Sequence, residues 1–199
     1  MLVLASASPR RKELLTQAGF TFRVHAASIP EEHRAGEDPI AFATRLAREK
    51  AQTIFVEQAQ LDAPDDPLLV LGADTIVVSA AKEILGKPKD ANDAARMLRL
   101  LAGGTHSVIT GVCLVSRGGV EIASELTYVT MTTISEVDIG VYINSGEPMD
   151  KAGAYGIQGY GATIVERVDG DYFSVMGLGL RRLVDLLDRI GAPYSFQAR

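Results

Sequence analysis

Apolar positions in the first third of the chain come in short unbroken runs, and in the middle they form long strand-like stretches. Residues 2–5 are continuously apolar, the pattern of a strand buried on both faces. Ser8 then offers an N-cap and Pro9 suits a first helical position, which predicts a helix over 9–18 ended by Gly19. Residues 20–25 alternate as a strand does, and 28–37 are a polar loop. Ile40, Ala43, Ala47, Ile54 and Phe55 recur at roughly helical spacing and predict a long amphipathic helix over 38–57. Residues 58–67, rich in Pro and Asp, read as a loop. A buried strand follows over 68–71, and 76–78 and 83–85 read as two arms of a hairpin. Residues 90–101 form a helix with Asp90 and Asp93 at its positive dipole end, closed by Gly103-Gly104. Long strands over 108–115 and 120–133 flank Gly118-Gly119. A short helix over 135–143, a strand over 162–168 and a helix over 178–190 complete the pattern. Helices alternate with strands early while hairpins dominate the middle, so the expected fold is α/β with a mixed sheet and flanking helices.

Composition changes this picture little. The 199 residues are 47% hydrophobic and 23% charged, enough apolar material for a sizeable core. At ~150 residues per domain, with no repeat or linker in view, residues 1–199 are expected to form a single domain. Charge is more selective: 20 Lys+Arg against 25 Asp+Glu leave a net charge of -5, which disfavours nucleic acid as a partner. Any anionic ligand must then be met by a local cluster of cations. The one cysteine, Cys113, lies in an apolar run and reads as packing in a reducing compartment. No basic leader and no apolar run of ~20 residues is present, so the expectation is a cytoplasmic protein without a membrane partner.

Three segments carry candidate chemistry. Ser6-Ala7-Ser8-Pro9-Arg10-Arg11-Lys12 places three cations at a helix start, where the dipole penalises each by ~0.3–1 kcal/mol. Free N–H groups and two guanidiniums directly after a buried strand suit a phosphate; the plainer alternative is a solvated basic turn. Gly72-Ala73-Asp74-Thr75 interrupts two apolar runs with an acid, which needs partners or a metal. If Ala80-Ala81 is a two-residue turn, the hairpin register brings Asp74 opposite Lys87 of Gly86-Lys87-Pro88, either as a structural ion pair or as part of a site. Finally, 150–161 hold four glycines within nine residues, implying special dihedrals or close approach to a ligand, or else a tight surface loop. No Rossmann fingerprint, P-loop, HExxH, CxxC or GxSxG is present, and His25, His33 and His106 lack metal-ligand spacing. Glu31, Glu32 and the basic residues Arg45, Arg48 and Lys50 are weak signals singly, since loop acids and basic helix faces are usually solvated.

Taken together, Leu4 to Arg11, Arg45 to Lys50, Gly72 to Thr75, Gly86 to Pro88 and Asp150 to Gly159 stand in the order found in the Maf family, which the chain resembles from Leu4 to about Leu187. The segment from Asp150 to Gly159 is similar to the branch acting on dTTP and UTP, not to that acting on 7-methyl-GTP. The resemblance implies an elongated mixed sheet with two lobes around a cleft, related to the inosine triphosphate pyrophosphatases. It also implies hydrolysis of a nucleoside triphosphate to monophosphate and diphosphate with a divalent metal, Mg²⁺ or Mn²⁺. By position, Asp74 matches the catalytic proton acceptor, and Arg10, Thr75 and Gln158 match positions tied to substrate choice. Ser8, Arg11, Glu31, Lys50 and Lys87 match other cleft residues. Glu31 and Asp74 are hard donors suited to the metal, and the Gln158 amide both donates and accepts, as the edge of thymine or uracil requires. One departure is Pro30, where many relatives carry an acid. The resemblance is also compatible with a homodimer.

Two other functions stand beside this expectation. One is a pyrophosphatase of the same superfamily acting on purine or modified nucleotides, which a nucleotide panel separates. The other is a non-enzymatic, nucleotide-binding regulator of cell division, which metal-dependent diphosphate release would exclude.

Overall fold

The computed structural model describes residues 1–60 and 67–196. Strand β1 (Leu2–Leu4) is buried throughout and lies between two parallel neighbours, β2 (Phe22–Val24) and β3 (Leu69–Val78), with Leu2 level with both Phe22 and Leu69. This is why its side chains read as a continuous apolar run. Between β1 and β2 runs α1 (Pro9–Gln17), capped by Ser8 and ended where Gly19 takes a positive φ. Helix α2 (Pro39–Ala59) starts at Asp38, whose carboxylate accepts from the amides of Ile40 and Ala41. The predicted loop 58–67 overlaps the end of this helix, and its residues 61–66 lie outside the described residues.

Strand β3 pairs antiparallel with the two-residue β4 (Ile84–Leu85). Beyond it come α3 (Ala91–Leu101), β5 (Thr105–Ser116), β6 (Gly119–Met131), α4 (Glu136–Asn144), β7 (Val165–Asp169), α5 (Tyr172–Met176) and α6 (Leu180–Arg189). The seven strands form one mixed sheet in the order β2-β1-β3-β5-β6-β7, with β4 on β3. The mixed α/β architecture expected from the pattern is therefore the observed one.

Three local expectations differ. Gly72 to Thr75 do not interrupt a strand; they are the centre of the ten-residue β3. The hairpin loop has three residues, Ala80 to Lys82, because Lys82 adopts a left-handed φ of 66° and the amide of Ser79 bonds to the Glu83 carbonyl. Val77 thus faces Leu85, one residue out of step with a two-residue turn, and pairing ends before Lys87. Residues 147–163 wind into three 3-10 segments, so β7 begins at Val165 and not at 162.

The chain divides into two compact units. The first comprises Met1–Asp74, Thr110–Glu125 and Gly177–Arg199, and its interior includes Val3, Ala5, Ala47, Ala51, Ile54, Val70 and Cys113. The second comprises Thr75–Ile109 and Leu126–Met176, and its interior includes Val77, Leu98, Leu101, Val129, Met131 and Tyr155.

In the first unit α2 lies unusually close to the sheet. A Cβ on Gly72 would sit 2.1 Å from the Ala47 carbonyl oxygen, and one on Gly111 2.5 Å from that of Ala43. Only glycine on the strands opposite alanine on the helix allows backbones this near one another.

Candidate active site

The turn leaving β1 folds its cations inward. Ser6 Oγ accepts from the Ser8 amide at 3.2 Å and from Arg11 Nη1 at 2.9 Å, while Ser8 Oγ caps α1 through the Arg11 amide at 3.5 Å. Arg11 Nε donates to the Gly177 carbonyl at 2.7 Å, and the side chain is buried. Arg10 is half-buried. A solvated basic turn is thus excluded for Arg11. Burial lowers its proton affinity, the charges of Asp74 and Glu31 raise it and that of Arg10 lowers it, which places these four groups in one electrostatic neighbourhood.

Asp74 and Lys50 form the centre of that neighbourhood. Lys50 Nζ donates to Asp74 Oδ1 at 2.6 Å and reaches Glu31 Oε1 at 2.6 Å. Both Lys50 and Asp74 are buried, whereas the Glu31 side chain is 53% exposed. The pair exists because Gly72 lets α2 settle on β3. Ala51 touches Gly72, so the preceding Lys50 is level with the acid two residues further along the strand. The hairpin reading named Lys87 as the partner of Asp74; the ion pair is made instead by Lys50, a residue that looked like part of a solvated helix face.

Arg45 is a second departure from that solvated face. Its guanidinium makes a two-pronged contact with Glu37, 2.6 and 2.8 Å, and also reaches Glu49 and the Glu32 carbonyl. This ties the loop carrying Glu31 to α2, and the hydrogen bonds from Arg45 outweigh desolvation to hold the Glu37 carboxyl at about 2.

The remaining predicted residues belong to the second unit. Thr75 is half-buried on β3, Lys87 is exposed beyond β4, and Gln158 is half-buried with extended backbone before a 3-10 turn. The glycines around Gln158 are explained locally. Gly153 and Gly159 have φ of 71° and 67°. A Cβ on Gly159 would stand 2.4 Å from Glu147 Oε2, and one on Gly161 2.7 Å from the Tyr142 hydroxyl. The special dihedrals expected of these glycines are present at Gly153 and Gly159, and the segment packs closely on itself, on Glu147 and on Tyr142, two residues that the sequence pattern does not single out. Glu147 was detectable only as an acid beside Pro148 ahead of a glycine-rich run, which is a faint signal.

The histidines and the cysteine are structural. His25 meets Gln58 and Glu57, His33 bonds the Glu37 carbonyl, and His106 is buried against the Tyr155 hydroxyl at 2.7 Å. Burial pushes the Cys113 thiol up to about 12, far from a nucleophile's range. Among the described residues no three His, Cys, Asp or Glu side chains gather as a metal cluster. No helix among them is long and apolar enough to cross a membrane.

Comparison with known proteins follows from these features. A family model described as "Maf-like protein" matches residues 1–190. A protein of Koribacter versatilis named dTTP/UTP pyrophosphatase is 51% identical over 190 residues, 96% of this chain and 94% of its own. Proteins of the same name from Geobacter sulfurreducens and Aquifex aeolicus are 50% and 44% identical, covering 96% and 94% of this chain and 97% and 93% of their own.

Proposed function

The chain belongs to the Maf family, and from that premise we propose that it is an enzyme hydrolysing dTTP and UTP to the monophosphate and diphosphate, so removing non-standard or excess pyrimidine nucleotides. The observation that carries this reading is the Lys50 ammonium shared by Asp74 and Glu31 beside the buried Arg11. It supplies, at one place, a carboxylate able to take a proton and cations able to meet phosphate.

In the proposed mechanism, water adds to a phosphorus of the α–β anhydride as its proton passes to the Asp74 carboxylate. The P–O bond from that phosphorus to the bridging oxygen breaks and its electron pair stays on this oxygen, leaving nucleoside monophosphate and diphosphate as the two products. Charge accumulates on the phosphate oxygens, and cations already fixed in place stabilise it without reorganising. Ser8, Arg10, Arg11 and Lys50 meet the phosphates in this reading. Thr75, Lys87 and Gln158 serve as the further substrate-binding residues, with Gln158 selecting the base through its paired donor and acceptor.

The residues present fit a divalent cation. Glu31 and Asp74 are two hard oxygen donors already converging on one positive centre, the Lys50 ammonium. One or two carboxylates plus substrate phosphates is the usual donor set for Mg²⁺. Glu31 and Asp74 would hold the ion, which when bound neutralises phosphate charge.

The test is diphosphate release from dTTP, UTP, CTP and 7-methyl-GTP, with and without Mg²⁺ or Mn²⁺. Metal-dependent release of one diphosphate per dTTP or UTP is expected. Release from none of the nucleotides would sink the enzymatic reading, and preference for the purine would move the protein to another substrate class.

A further inference from the structure

We propose that Glu147 and Tyr142 are positioning residues for base selection, because together they hold the backbone on both sides of Gln158. This rests on the reading of Gln158 as the base-selecting residue. Glu147 opens the 3-10 turn Glu147–Asp150, and Tyr142 lies on α4. Glu147 Oε1 accepts from the Tyr142 hydroxyl at 2.8 Å and from the Gly161 amide at 3.0 Å, and Oε2 accepts from the Tyr160 amide at 2.9 Å. The same Tyr142 oxygen accepts from the Gly156 amide at 3.0 Å. Amides two residues before Gln158 and two and three residues after it therefore all end on one tyrosine–glutamate pair.

The glycines belong to this arrangement. A Cβ on Gly159 would stand 2.4 Å from Glu147 Oε2, and one on Gly161 2.7 Å from the Tyr142 hydroxyl and 2.1 Å from the Gly156 carbonyl oxygen. At Gly159 the backbone lies closer to the carboxylate than a side chain would permit. Lys151 Nζ adds a bond to the Glu147 carbonyl at 2.5 Å, fixing the turn that carries the acid. Burial favours the neutral acid, but the amides of Gly161 and Tyr160 and the Tyr142 hydroxyl outweigh it and hold the carboxyl below its ordinary value.

The charge is needed as well as the shape. Three donors converge on Glu147, and a carboxylate offers two accepting oxygens where a carboxamide offers one and turns an NH₂ toward the other donors. Glu147→Gln therefore keeps size yet sets donor against donor, releasing the segment around Gln158. Tyr142→Phe removes the link to Gly156 and leaves the two amide bonds to Glu147.

The experiment measures kcat and KM for dTTP, UTP and CTP in wild type, Glu147→Gln, Tyr142→Phe and Gln158→Ala, together with amide exchange at Gly156, Tyr160 and Gly161. In Glu147→Gln the Tyr160 and Gly161 amides should exchange roughly tenfold faster. The kcat/KM preference for dTTP over CTP should fall about tenfold, chiefly through KM for dTTP. Tyr142→Phe should give a smaller loss with faster exchange at Gly156. Unchanged exchange, an unchanged preference, or an equal fall in kcat for every nucleotide would overturn the proposal. Should Glu147→Gln fail to fold, Tyr142→Phe is read by the same criteria. If Gln158→Ala alters the preference while both other variants do not, only the positioning role falls. A wild type without preference for dTTP and UTP over CTP removes the Gln158 reading and this proposal with it.

Discussion

Lys50 has two carboxylate partners, whereas the pair to Asp74 is buried on both sides, and that asymmetry sets what each substitution does. Asp74→Asn leaves the ammonium its contact with Glu31, so stability should fall by less than ~2 kcal/mol, while turnover should drop by about 10²–10⁴-fold through loss of the proposed proton acceptor. Lys50→Met strands Asp74 beneath the surface without its ammonium, and a buried acid deprived of its cation costs about 3 kcal/mol or more. Urea unfolding of the two variants should rank them in that order, with diphosphate release giving the opposite emphasis for Asp74→Asn; equal stability losses would refute the asymmetry. The need for a partner was legible in the sequence, because an acid set among Leu71, Ala73 and Ile76 cannot stand alone. The identity of the partner was not, since a strand pattern says nothing about which helix residue crosses it.

At the scale of elements, the information lies in Gly72, which stands between two apolar runs, and in the alanines of α2, which the pattern shows only as apolar periodicity. They are one device: a strand without side chain against a helix with short ones. Gly72→Ala would put a methyl group 2.1 Å from the Ala47 carbonyl oxygen, so α2 must lift from β3. Overpacking of this kind costs about 1–3 kcal/mol, and here it also lengthens the Lys50–Asp74 contact. By contrast, Gly140 on α4 is exposed with open space around it, and Gly140→Ala should stabilise by about 0.4–1 kcal/mol. Thermal unfolding of both variants, with activity measured alongside, separates the two roles; a neutral Gly72→Ala would contradict the close packing. Periodicity located α2, α3, α6, β5 and β6, since burial of one face or both writes itself into the hydrophobic pattern, but it split β3 at Gly72 to Thr75. It missed α5 and the 3-10 turns over 147–163, whose shape comes from side-chain anchors such as Glu147 and not from any repeating face.

At the scale of the whole molecule, the net charge of -5 is compatible with an anionic substrate because the cations that matter are local and partly internal: Arg11 and Lys50 are both buried. One buried group contributes to the response of stability to mild acid. His106 is enclosed, and burial lowers its pKa to about 4 from an unfolded value near 6.5. Between these values the unfolded chain binds a proton that the folded chain does not, so stability is retained above pH ~6.5 and falls as pH drops toward ~4, by about 3 kcal/mol at most. Urea unfolding from pH 4.5 to 8 should show this slope in wild type and a shallower one in His106→Gln; parallel curves would exclude His106 as the source. The contact between Arg11 and the Gly177 carbonyl has a consequence in time as well as in energy. It spans 166 residues, and the groups around it come from residues 31, 50 and 74, so the centre is assembled from segments synthesised far apart. Closing so long a loop is slow compared with forming α1 or α2 alone. During synthesis the guanidinium must wait for residue 177 to leave the ribosome, and until then the nascent polypeptide carries the parts of the proposed centre without the centre itself.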